Sequence, residues 1–182
     1  MFGILHGAID HVIYRQEQTR SAVVFYSFYF GLMLVYFAFW MYFPIISMLL
    51  FLVLSAFHLG QSQSSNLAIN IKWQRVLLYQ SLGLSILSGL VIFNYDQIYT
   101  LAANNQDILA LLTSFQYQAN LVVLILSSSA TLAILINLKV RNRISRHSFF
   151  KEILVFGLIH LSFLTLPLLV GFTIYFSTLH SM

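Results

Sequence analysis

His6, His58 and His180 are the residues of this chain best suited to chemistry, because each stands within or at the end of an apolar stretch. Small or polar residues surround them: Gly7 and Ala8 beside the first, Ser55, Ala56 and Gly60 around the second, Ser177 and Ser181 near the third. An imidazole in lipid costs of order 2–7 kcal/mol before it finds a partner, so each marks a candidate functional position. If the three converge, they make a buried metal site with nitrogen ligands. On a helix Asp10 lies four residues from His6 on the same face, while His11 falls about 140° round. A carboxylate so placed can accept the N–H of a metal-bound ring and fix its tautomer. Two other histidines read as bystanders. His160, in FGLIHLS, is expected to be a satisfied packing histidine, and His147, among RNRISRHS, a solvated one or one beside lipid phosphate.

The elements that must carry these rings are membrane helices. Of the 182 residues 59% are hydrophobic and only 8% charged, against roughly 25% charged in ordinary soluble domains. From Ser21 to Ile71 there is no Asp, Glu, Lys or Arg, room for two spans at ~20 residues each. No ten-residue alternation of a barrel strand occurs, so the expected class is all-α, a polytopic transmembrane helical bundle forming a single membrane domain over 1–182. Helices are predicted at about 1–14, 22–43, 45–60, 76–93, 119–138, 150–166 and 167–182. With no cysteine, disulfides, iron–sulfur clusters and thiolate zinc sites are excluded, and a metal would be held by His and carboxylates. The first ten residues, MFGILHGAID, lack the basic start of a cleavable signal.

The net charge of +4 follows topology and calls for no nucleic-acid partner. Every Lys and Arg falls in the segments around 15–20, 72–75 and 139–151, whereas 94–118 carries only Asp96 and Asp107. Placing the basic loops in the cytoplasm puts 94–118 outside, and the expected location is the cell (inner) membrane, multi-pass.

The two prolines organise the depth of the site. Pro44 stands between the first two long spans, and in TLP at 165–167 the missing N–H of Pro167 and its bias against helical geometry in the preceding residue predict a turn within the last apolar stretch. His58 follows Pro44 by 14 residues and His180 follows Pro167 by 13, so each would lie roughly 20 Å back from its turn, at one depth.

Taken together, HGAID at 6–10, SAFHLGQS at 55–62 and LPLLVGFTIYFSTLHS at 166–181 resemble the motifs of the Brp/Blh-type bacterial and archaeal β-carotene 15,15'-dioxygenases. The order, spacing and flanking apolar text match over essentially the whole chain. The resemblance implies Fe(2+) held by His6, His58 and His180 among membrane helices, with β-carotene and dioxygen as substrates and two retinals as products. It keeps Asp10 in its family place. Gln63, five residues after His58, stands where the family commonly has Asp and is neutral. Gln63 and His11 are expected, with Asp10, around the ligands. The family's further histidine, four positions after the one matching His180, would fall at 184, and members continue for further helices, so the chain resembles the first two thirds of one.

All-imidazole ligation suits Fe(II), although imidazole also accepts Zn, Cu and Ni. A carotenoid dissolved in the bilayer reaches an intramembrane site without an aqueous route, and Phe57, Tyr175 and Phe176 are among the aromatics available to wall an apolar tunnel. No nucleophile elbow, phosphate-binding glycine loop or HExxH helix occurs, which leaves hydrolase and NTPase readings without support. Two rivals remain: an inactive truncated family member, and a transporter or metal-handling protein using intramembrane histidines.

Overall fold

A computed structural model describes residues 22–67, 69–103, 109 and 117–179. Helix formation follows from the composition, since in lipid only a helix or a closed barrel satisfies every backbone group within the segment. Among the described residues there is no strand. The helices are α1 (Ala22–Tyr42), α2 (Pro44–Ser64), α3 (Lys72–Phe93), α4 (Tyr95–Ala102), α5 (Tyr117–Val140), α6 (Arg146–Thr165) and α7 (Leu168–Ile174), the last running into a π-helical turn at Tyr175–Leu179. Four of them, α2, α3, α5 and α6, are long and apolar enough to cross a membrane. The helix expected over 1–14 lies outside the described residues.

Several boundaries differ from the sequence reading. α2 runs on to Ser64, past the expected end near 60, and there the Ser64 hydroxyl donates back to the Gly60 carbonyl at 2.8 Å. α3 begins at Lys72, four residues before its apolar run, with Lys72 and Arg75 exposed in its first turn where long basic side chains extend to the interface. The expected loop at 94–118 holds α4, whose Tyr95, Ile98, Tyr99 and Ala102 recur at helical spacing.

The chain divides into two compact units, residues 1–48 and 49–182. In the first, the side chains described on α1 are mostly exposed and apolar on every side, as suits a helix bathed in lipid. At Pro44 the chain turns, and the Tyr36 phenol donates to the Ser47 carbonyl at 3.0 Å across that turn.

In the second unit α3 is the hub. Of its most apolar window 56% is buried, against 22–28% for the other three candidate spans, so it alone is enclosed by neighbours. One cluster joins Leu59 of α2, Leu82 and Ile86 of α3, Val155, Ile159 and Phe163 of α6, and Tyr175. The other packs Leu67, Ile69 and Leu78 against Leu135, Leu138 and Ile144. The turn from α5 to α6 is short: Asn142 adopts a left-handed φ of 52°, the Arg143 N–H reaches the Leu138 carbonyl at 2.9 Å, and Ser145 caps α6 through the Ser148 N–H at 2.9 Å.

The last apolar stretch breaks in the TLP segment. Leu166 is extended (φ −112°, ψ 149°), as the residue before a proline prefers, and α7 starts after Pro167. The two arms then pack on each other, the Phe163 and Tyr175 rings meeting edge to face at 6.0 Å.

Candidate metal centre

The segment around His58 is positioned by a close approach of two backbones. A Cβ added to Gly60 of α2 would fall on the Tyr79 carbonyl of α3, and one added to Gly83 of α3 would fall on the backbone of Ala56. Small residues are therefore required at both crossings, the usual device for close helix contact in membranes. The Phe57 and Tyr79 rings meet edge to face at 5.7 Å, and the Gln80 side-chain amide donates to the Val53 carbonyl at 3.4 Å.

This contact fixes the rotation of α2. Ala56, Leu59 and Gly60 are buried on the side of α3, so His58, about 200° round from Ala56, stands exposed on the opposite side. Five residues on, Gln63 is half-buried, and its side-chain oxygen is enclosed with no hydrogen-bond donor among the described residues. An enclosed carbonyl oxygen of this kind lacks the N–H that it would ordinarily accept.

His6, Asp10, His11 and His180 lie outside the described residues, so of the expected ligands only His58 has a described side chain. Among the described residues no group of three or more His, Asp or Glu is gathered in a way that could hold a metal ion.

His160 is satisfied by protein groups, as the sequence suggested. Its Nδ1 lies 2.9 Å from the Phe156 carbonyl, which can only accept, so the proton sits on Nδ1. Nε2 is then an acceptor and takes the Ser85 hydroxyl at 3.0 Å, and Ser85 in turn receives the Ser128 hydroxyl at 2.7 Å. Both ring nitrogens are occupied, which leaves none for a metal. Beside this chain Thr131 of α5 donates to Ser81 of α3 at 3.1 Å. The sequence reading missed this seam between α3, α5 and α6. Its trace was present in the small and hydroxylated residues Ser81, Ser85, Ser88 and Gly89, which recur at helical spacing opposite Ser127, Ser128 and Thr131.

An all-helical chain with four candidate spans and an imidazole on the uncovered side of one of them is the class of molecule that these features define. The family model for beta-carotene 15,15'-dioxygenase matches residues 1–182, and the chain belongs to that family. No curated protein and no solved structure matches it. Family membership supports a carotenoid dioxygenase type of function in general and a carotenoid as substrate.

Proposed function

We propose that this chain is a membrane non-haem iron dioxygenase that cleaves β-carotene at its central double bond to give two retinals. The observation that carries the reading is the family match over the full chain. His6, His58 and His180 would hold Fe(2+), and neutral imidazole nitrogen suits that ion while leaving its charge intact. The donor chemistry around His58 fits such a ligand set. Gln63, five residues on from His58, offers an enclosed oxygen with no donor among the described residues, the kind of acceptor that the second N–H of a metal-bound imidazole requires. Asp10 stands four residues from His6 in sequence, on the same face of a helix, and would orient that ring.

When bound, iron supplies the redox chemistry that joins dioxygen to the alkene. Overall one carbon–carbon double bond and the O–O bond are broken, and each alkene carbon leaves as an aldehyde carrying one oxygen atom. No protein nucleophile or general base enters that balance. The chain's own work is placement and dryness. Its apolar helices admit a lipid-dissolved polyene from the bilayer and hold water away from the reacting carbons. The basic segments at 72–75 and 139–151 would lie in the cytoplasm of a multi-pass inner-membrane protein.

The test is expression in cells that make β-carotene, with iron and air supplied, followed by chromatography of the extracted pigment. Bleaching with retinal formation is expected, and His58→Ala should remove it. Metal uptake without retinal would point to a metal-handling protein, and neither to an inactive family member.

A further inference from the structure

At the end of α3 remote from its basic first turn, the chain forms an open pocket of about 390 Å³ whose described lining includes Phe93, Asn94, Tyr95, Asp96, Gln97 and Tyr117. α3 is 22 residues long, so roughly 27–32 Å of helix separates this pocket from Arg75 and Lys72. α5 likewise begins at Tyr117 and carries Lys139 in its last turn. No described cation of the chain is therefore near the pocket. Yet among the described residues the Asp96 carboxylate has neither a hydrogen-bond donor nor an ionic partner, since the Thr100 hydroxyl goes to the Asp96 backbone carbonyl instead. Asp96 is exposed at the mouth of this pocket, where its charge can meet a cation from outside.

The walls narrow the kind of cation. A bare divalent ion asks for six or more oxygens close by, and the described lining residues offer one carboxylate. Three aromatic residues contribute to the lining, and two of them, Tyr95 and Tyr117, meet edge to face at 5.5 Å. Aromatic walls with one acid are the setting in which organic ammonium groups bind, through the negative faces of the rings. The Gln97 side-chain oxygen is already taken by the Leu168 N–H at 3.0 Å, which leaves its amide hydrogens for an anion next to the cation. Ammonium with a neighbouring phosphate is the pattern of a zwitterionic phospholipid. The position agrees: an apolar span gives way here to NYDQ, and Tyr95, Tyr99 and Tyr117 cluster as aromatic residues do at the headgroup level.

We propose that this pocket binds the ammonium headgroup of a zwitterionic phospholipid, with Asp96 as counter-charge and Tyr95 and Tyr117 as aromatic walls. The inference takes the membrane embedding from the proposed function and nothing of its chemistry, so lipid retention and retinal output are read separately.

The test uses the full chain, taken from carbonate-washed membranes and held in nanodiscs of equal phosphatidylethanolamine and phosphatidylglycerol, with bound lipid counted by native mass spectrometry. Preferential retention of phosphatidylethanolamine is expected. Asp96→Asn should reduce that preference about 2- to 5-fold, Tyr117→Leu should act in the same direction, and Asp96→Glu should restore it. Equal retention of the two lipids, or a preference unchanged in Asp96→Asn and Tyr117→Leu proteins of unaltered melting temperature, would overturn the proposal. Tetramethylammonium supplied in water distinguishes the source of the cation. Its displacing a bound lipid supports the headgroup site, and its binding where no lipid is retained overturns the lipid assignment.

Discussion

Two histidines of similar sequence setting have opposite surroundings, and the difference yields a paired prediction. His160 lies between a backbone carbonyl and a serine hydroxyl, while His58 projects from α2 on the side away from α3. Replacing His160 by Ala removes two hydrogen bonds and leaves the buried Ser85 hydroxyl without its acceptor, at a cost of about 1–2 kcal/mol for bonds of this kind between membrane helices. The detergent-solubilised His160→Ala protein should therefore melt at lower temperature while retaining iron. His58→Ala should lower iron content by atomic emission at least about 10-fold, the scale of loss seen even for groups behind a ligand. Iron lost equally in both variants would place His160 in the metal centre and contradict the hydrogen-bond assignment. Gln63→Leu removes an oxygen that has no donor among the described residues, so stability should not fall. A loss of iron on that change alone would mark Gln63 as a group that orients a ligand.

At the scale of elements, the crossing of α2 and α3 is fixed by what is missing from Gly60 and Gly83. A side chain at either position meets backbone that cannot swing aside, unlike the tip of a flexible neighbour. Gly60→Leu or Gly83→Leu should force the helices apart and cost several kcal/mol, at the upper end of single substitutions, read as loss of the folded peak in size-exclusion chromatography. The break before Pro167 offers a cleaner probe, because the chain has no cysteine of its own. With Phe163 and Tyr175 both changed to Cys, a short bis-maleimide spanning about 8 Å should link the two arms of the α6–α7 hairpin, as the rings there meet at 6.0 Å. A continuous helix would hold these positions twelve residues, about 18 Å, apart and no link would form. The turn itself was legible in the sequence, since proline acts on its neighbour through covalent geometry. α4 was not, for eight residues between polar runs give too little periodicity to stand out from a loop.

For the molecule as a whole, the long apolar spans could be read from composition, whereas the manner of their packing could not. Hydropathy reports that a segment prefers lipid and is silent about which face meets another helix, so the central place of α3 and its serine seam emerged only in the structure. The family was legible from the motifs around His6, His58 and His180, because they are distinctive local text, while Asp96 gave no signal beyond its charge. Charge distribution supplies the remaining test. If α3 and α5 both cross the bilayer, the turn holding Asp96 and the turn holding Asn142 face opposite compartments, because α3 ends at the first and α5 ends at the second. Nine Lys and Arg against none between 94 and 118 orient the pair. In intact cells a membrane-impermeant maleimide should label Asp96→Cys and spare Asn142→Cys, and in inverted vesicles the pattern should exchange. Labelling of both from one side would mean that α5 does not span, and with it the whole bilayer arrangement on which access of a lipid-dissolved substrate depends would have to be redrawn.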